Sequence, residues 1–159
     1  MSKPNAVHNR NRQTYVFLGV SIRILLSSEQ TGGQFTMIEG IIPPGGDGGL
    51  HVHHREDESM HLLEGEIEVT IGKQVFTLAA GESYFAPRGV PQRLRNLSST
   101  PARSLLVTTP GGFDEFIARA GMAVTEGAPP PVAVPPTPEQ IKQLLALAET
   151  FGIEIIELP

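Results

Sequence analysis

Four of the chain's five histidines fall within eleven residues, in the run His51-Val52-His53-His54-Arg55-Glu56-Asp57-Glu58-Ser59-Met60-His61. Residues i and i+2 of a strand point to one face, so His51 and His53 project together about 7 Å apart at the backbone, and their imidazoles can converge on one ion. Glu58 needs an intervening turn or bulge to join them. With it the set becomes two imidazoles and one carboxylate, the facial arrangement used by non-haem iron and other divalent first-row metals. A lone histidine is more often a core or surface residue with a satisfied hydrogen bond. The cluster, set in an otherwise apolar β pattern, weighs toward metal. In that chemistry the ion polarises an oxygen of the substrate, and Glu58 or a water on the metal is the catalytic base. His54 lies on the opposite parity to His53, and His61 on the opposite parity to Glu58. Both are assigned a solvated or supporting role.

No cysteine occurs among the 159 residues. Disulfides, thiolate zinc sites, Fe–S clusters and cysteine nucleophiles are therefore excluded, and any metal is held by N and O ligands. Twelve Lys and Arg against 17 Asp and Glu leave a net charge of −5. That balance argues against a nucleic-acid or anionic-membrane surface. The length corresponds to about one domain. The most apolar N-terminal stretch, Tyr15 to Leu26, is interrupted by Arg23 and followed by no small-residue cleavage site. It reads as neither a signal peptide nor a membrane span, and the expected location is the cytoplasm.

The elements that must position the cluster are strands. Val16, Leu18, Val20, Ile22, Ile24 and Leu26 share one parity, which predicts a single half-buried strand. Turn signals follow at Thr31-Gly32-Gly33, Pro43 to Gly49, Glu64-Gly65, Gly72-Lys73, Ala80-Gly81, Pro87-Arg88-Gly89 and Ser98 to Pro101, with short β-rich runs between them. Many short strands without intervening helices predict an all-β sandwich or barrel. After Pro110 the period changes. Phe113, Phe116, Ile117 and Ala120 predict a short helix stopped by Gly121, and a proline-rich stretch over 128–136 reads as an extended connector. Thr137-Pro138-Glu139-Gln140 is a capping box. It opens a helix over 138–151 with an apolar face of Ile141, Leu144, Leu145, Ala148 and Phe151, followed by a final strand. The expected organisation is a polar, frayed arm over 1–14, a β-barrel over 15–112 and a C-terminal extension over 113–159 that docks on it.

Other local features read more plainly. The glycine-rich segment from Gly45 to Gly49 precedes a strand and not a helix, so it is a turn and not a phosphate cradle. Arg93 and Arg95 share one strand face near Arg88 and could meet an anionic substrate. A solvated outer face is the better reading, with Gln92, Leu94 and Asn96 inward. No serine sits in a Gly-X-Ser-X-Gly elbow.

Gly45, His51, His53, Glu58 and Gly65 have the spacing of the first cupin motif, and Gly81, Pro87-Arg88-Gly89 and Asn96 that of the second. The chain resembles single-domain cupins, most closely small bacterial quercetin-dioxygenase-like ones, over roughly 15–112. The resemblance implies a jelly-roll barrel (the double-stranded β-helix), a divalent metal ion (Fe, Mn, Ni, Zn or Cu) inside its mouth, and a homodimer whose N-terminal strands pair across subunits. It also implies a mononuclear dioxygenase acting on an oxygen-rich organic substrate. An isomerase or lyase on the same site, or a non-catalytic ligand-binding or sensing module, stands as the alternative. One position departs from the family. Where the second motif carries a fourth ligand, normally histidine, this chain has Gln92. Gln92 completes a weaker site through its amide oxygen, leaves an open position beside the triad, or marks a site that no longer holds metal well.

Overall fold

The computed structural model describes residues 6–10, 13–129 and 134–159. Twelve strands and two helices follow in chain order: β1 (Thr14–Phe17), β2 (Val20–Leu26), β3 (Thr36–Ile42), β4 (Leu50–His53), β5 (Asp57–Glu64), β6 (Glu66–Ile71), β7 (Gln74–Ala79), β8 (Ser83–Ala86), β9 (Gln92–Arg95), β10 (Ala102–Thr109), α1 (Phe113–Ala120), β11 (Met122–Val124), α2 (Pro138–Thr150) and β12 (Ile153–Glu157). They form two antiparallel sheets, ordered β11-β1-β2-β3-β10-β5-β8 and β12-β4-β9-β6-β7. Period-2 burial is clearest in β3 and β10, where every second residue is buried. Their inward residues meet those of the facing sheet in one core, to which Leu62 and Leu106 come from one side and Ile67, Val69 and Leu78 from the other. This is the all-β architecture the strand pattern predicts, in the jelly-roll form the family resemblance implies, with a small helical extension. Neither sheet closes on itself.

The segment from Val16 to Leu26 is a hairpin and not one strand. Phe17 pairs with Val20 across a two-residue loop, Leu18-Gly19, in which both residues have positive φ. A loop of two residues leaves the parity of the apolar pattern unbroken, which is why alternation alone does not reveal the turn. The hairpin also removes one argument for pairing across a two-fold axis. β1 is flanked by β2 and β11, and β2 by β1 and β3, so neither strand presents a free edge. The expected arm is partly anchored, since Asn9 Nδ2 donates to the Leu25 carbonyl at 2.7 Å and β1 already starts at Thr14. Residues 1–5 and 11–12 of that arm, and 130–133 of the connector, lie outside the described residues.

α2 is opened by the capping box, with the Thr137 hydroxyl accepting from the Gln140 amide and the Gln140 side chain accepting from the Thr137 amide. Its buried face differs from the expected one, with Leu147 on it and Ile141 and Leu145 not among the residues packed on the core. Ala148 is fully buried and Leu144, Leu147 and Phe151 rest on the core, whereas Leu145 is 40% exposed. Leu144, Leu147, Ala148 and Phe151 follow i, i+3, i+4, i+7, and Leu145 falls on the flank of that stripe. α1 is held at its first turn by a buried carboxylate. Asp114 Oδ2 accepts from the Ser28 amide and hydroxyl, both at 3.1 Å, and Oδ1 accepts from the Thr36 hydroxyl at 2.6 Å. That hydroxyl in turn accepts from the Gly112 amide. Phe116 thereby seats against Phe17, Phe113 and Phe151. At Gly65, between β5 and β6, φ is +84° and a Cβ would lie 2.9 Å from the backbone at Pro101 and Ala102, so only glycine fits.

Asp114→Ala leaves three buried donors without an acceptor. It is expected to cost about 3 kcal/mol, or roughly 6–12 °C in the unfolding midpoint of a domain this size. Asp57→Ala, which loses exposed bonds from the Arg88 guanidinium and backbone amide, leaves the midpoint nearly unchanged. Denaturant titration of both variants checks the contrast, and equal midpoints contradict it.

Candidate metal centre

β4 and β5 belong to different sheets, and residues 54–56 carry the chain across from one to the other. That crossover is the turn Glu58 needs. His51 and His53 point inward from β4 with ring centroids 5.2 Å apart, and one ligand atom from each of His51, His53 and Glu58 lies within 4.8 Å of the others. His53 and Glu58 are each 3% exposed.

The partners of the two rings assign their tautomers. His51 Nδ1 lies 3.0 Å from the Gly49 carbonyl, which can only accept, so Nδ1 carries the proton and Nε2 keeps its lone pair. His53 Nδ1 lies 3.2 Å from Glu56 Oε2, with the same consequence. A histidine whose Nδ1 is engaged by a carboxylate or carbonyl while Nε2 faces a cavity is the arrangement that orients a metal-ligating imidazole. Glu58 Oε1 accepts the Tyr84 phenol at 2.6 Å, leaving Oε2 without a donor, 3.4 Å from His53 Nε2.

Four buried side-chain polar atoms have no hydrogen-bond partner among the described residues: His53 Nε2, Gln92 Oε1, Thr108 Oγ1 and Arg23 Nε. Three of them belong to the centre or are paired to it. Gln92 stands opposite His51 in the β4–β9 register, and Thr108 opposite Glu58 in the β5–β10 register. Such orphans cost free energy unless something binds them. The residues present therefore fit a divalent cation held by N and O donors. Gln92 is 2% exposed.

Burial, and then the charge of its neighbour His53, lowers the His51 pKa against the opposing pull of Glu58. Burial acts the same way on His53, but the Glu56 hydrogen bond and the charges of Glu58 and Glu56 outweigh it and raise that pKa. Burial and the Glu58 charge push the Tyr84 phenol well above its ordinary value of 10.0.

The remaining sequence candidates lie outside the centre. His54 pairs with Glu154 and His61 with Ser83, both exposed. Arg88 is committed to Asp57, Arg93 to Asp47 and Glu157, and Arg95 to Glu68. Sequence reasoning missed Glu56 and Tyr84. Glu56 had a signal, a carboxylate three residues after His53 in the same run. Tyr84 had none, because its approach to Glu58 follows from β8 pairing with β5.

The centre opens onto a cavity of about 120 Å³. Its wall is mostly hydrocarbon, from Ile22, Ile38, Met60, Leu106, Phe113 and others, and among the described residues it includes no Lys or Arg. Phe113 also packs edge-on against the His53 ring. Ile153 and Ile155 of β12 complete the wall, because β12 pairs with β4 so that they stand opposite His53 and His51.

A Tyr15→Phe variant leaves Tyr84 as the chain's one tyrosine. In chelator-treated protein its ultraviolet titration is expected to have a midpoint well above pH 10. The neutral phenol is favoured in the native state, so its contribution to stability is complete below the unfolded-chain value and is lost as pH rises from there toward the native value. A midpoint at 10 in folded protein contradicts the buried Tyr84–Glu58 bond.

Residues 39–108 match the Cupin_2 family, described as a cupin domain. Among curated proteins, the HTH-type transcriptional regulator PuuR of Escherichia coli K12 is 34% identical over 95 residues, 60% of this chain and 51% of that protein. The chain thus spans about half the length of that relative. Among solved structures, TT1209 from Thermus thermophilus is 30% identical with a TM-score of 0.51, over 66% of this chain and 90% of that one. A Thermotoga maritima protein described as a predicted oxalate decarboxylase is 27% identical with a TM-score of 0.55, over 57% and 80%. Both motif glycines, the clustered ligands and the two-sheet topology agree with these matches, and the chain belongs to the cupin family.

Proposed function

We propose that the chain is a metal-dependent cupin enzyme. His51, His53 and Glu58 hold a divalent ion, Gln92 is a weak fourth ligand, and a small organic substrate is processed in the adjoining cavity by mononuclear, dioxygenase-type chemistry. The observation that carries this reading is the pair of Nδ1–H bonds, to Gly49 and Glu56, which leaves two imidazole lone pairs bare beside an undonated carboxylate oxygen. Two imidazoles and one carboxylate leave open positions for substrate and for O2. A bound ion supplies Lewis acidity toward an oxygen of the substrate.

The protein's own groups do the rest. Glu56 and Gly49 fix the two rings. Tyr84 holds Glu58 by one oxygen and so aims the other at the two bare imidazole nitrogens, where it would hold the ion. Phe113 and the hydrocarbon wall exclude bulk water, which strengthens every polar interaction at the centre. A homodimer accompanies this reading through the family resemblance. The likeness to PuuR supports a second reading, in which the cavity senses a small ligand without turning it over.

Chelator-stripped protein titrated with Fe, Mn, Ni, Zn or Cu ions is expected to bind one ion per chain, and His51→Ala to bind none. Gln92→His is expected to raise affinity tenfold or more, Gln92→Ala to change it little, and Glu56→Ala to lower it by about 10- to 100-fold. Elemental analysis and chelator competition read each value. Metal content unchanged in His51→Ala overturns the assignment. O2 consumption that needs a redox-active ion and is not supported by Zn2+ separates the enzyme from the sensing module.

A further inference from the structure

The inner face of β3, β10 and β5 is organised in rows across the three strands. Thr36, Thr108 and Glu58 form the first row, Ile38, Leu106 and Met60 the second, and Gly40, Ser104 and Leu62 the third. The first row carries the carboxylate of the metal centre, and the second is hydrocarbon throughout. In the third row polarity returns. Ser104 is 2% exposed, lines the cavity, and its hydroxyl makes no hydrogen bond among the described residues. Gly40 stands directly opposite it and also lines the cavity.

Gly40 lies in the middle of β3 without positive φ, so any residue could adopt its backbone, and a glycine there forfeits roughly 0.5–1 kcal/mol of strand stability. What its missing side chain leaves is space. A Cβ at Gly40 would come within 3.2 Å of Ser104 Oγ. Glycine inside a strand marks close approach of another group, and the group next to this one is a cavity-lining hydroxyl without a hydrogen bond among the described residues.

We propose that Gly40 and Ser104 form a polar subsite at the end of the cavity remote from the metal centre. With the hydrocarbon row between, it selects an uncharged, mostly apolar molecule, a substituted aromatic ring or a short carbon chain. That molecule bears one oxygen toward His51, His53 and Glu58 and one hydrogen-bonding group toward Ser104. Four residues separate Glu58 from Leu62, so the two polar ends stand roughly 13 Å apart along the strand. A single para-substituted ring bridges that distance once the side chains at both ends take their share. A small dianion such as oxalate fits poorly at the remote end, since no Lys or Arg among the described residues lines the wall away from the metal centre and burying a charge there unpaired is expensive. The inference rests on the reading of this cavity as a substrate site and replaces the oxygen-rich substrate of the family resemblance with an apolar one.

The test uses full-length, chelator-treated protein, so that its outcome is independent of metal binding. Three probes are titrated by calorimetry: 4-hydroxyacetophenone, whose carbonyl can accept from Ser104, 4-methylphenol, which lacks that group, and oxalate. Both phenols are expected to bind and oxalate not to. Ser104→Ala is expected to weaken 4-hydroxyacetophenone by roughly fivefold to tenfold, the worth of one hydrogen bond, and to leave 4-methylphenol unchanged. The second probe thus also reports that the variant is folded with its cavity intact. Gly40→Ala is expected to weaken both phenols. Oxalate binding more tightly than the phenols, or no phenol binding at all, overturns the apolar class. An equal loss of both phenols in Ser104→Ala overturns the subsite. Loss of metal in the separate His51→Ala experiment bears on neither result.

Discussion

Two bare imidazole nitrogens and a carboxylate oxygen, gathered within 4.8 Å inside a hydrocarbon interior, are expensive to keep. Each polar atom withdrawn from water must recover its lost hydrogen bonds or be pulled together by something that binds them all. The surroundings of the centre follow from that constraint. Gly49 and Glu56 take up the Nδ1 protons, Tyr84 takes up one carboxylate oxygen, and the atoms left over all belong to the face that a cation would occupy. A core selected for stability alone would place Leu or Ile at these positions. The retention of so many under-satisfied groups in one place is the physical argument for a bound ion.

The scaffold meets the same constraint from outside. The centre lies where the chain leaves one sheet for the other, so its ligands come from two rigid elements and not from a mobile loop. β4 would be an edge strand, open to water beside its own histidines, if the C-terminal segment did not return. α2 turns the chain back, and β12 pairs along β4, placing Ile153 and Ile155 opposite His53 and His51. α1, latched by Asp114 to Ser28 and Thr36, closes another side with Phe113 and Phe116. Both devices lie beyond residues 39–108, the part that matches the family. Part of the cavity wall is therefore set by segments outside the matched region.

Charge is kept away from that interior. The arginines of β9 and of the loop before it are satisfied by Asp47, Glu157, Glu68 and Asp57 on outer surfaces, so away from the metal centre no Lys or Arg among the described residues lines the cavity to attract an anionic ligand. Such exposed pairs add little to stability. Their effect here is on the kind of molecule the interior accepts.

Much of this was legible in the chain before any coordinates. Period-2 alternation and regular turn residues specify the strands, the Thr137–Gln140 box specifies where α2 begins, and the parity of His51 and His53 together with the spacing to Glu58 specifies which three side chains can meet. Those are local properties, determined by backbone geometry over a few residues. Where the local signal was degenerate, reading failed. The Leu18-Gly19 turn preserved parity and so passed for strand, and Leu145 shared a helical stripe with residues that are buried. The rest depends on pairings between distant segments. Nothing near Glu58 in sequence announces Tyr84. Nothing near His53 announces Ile153, a hundred residues away. Nothing near Ser104 explains why Gly40 has no side chain. Register between strands is decided by the packing of whole sheets, and so the partners of the centre, the hydrocarbon wall and its remote hydroxyl were decided only by the tertiary structure.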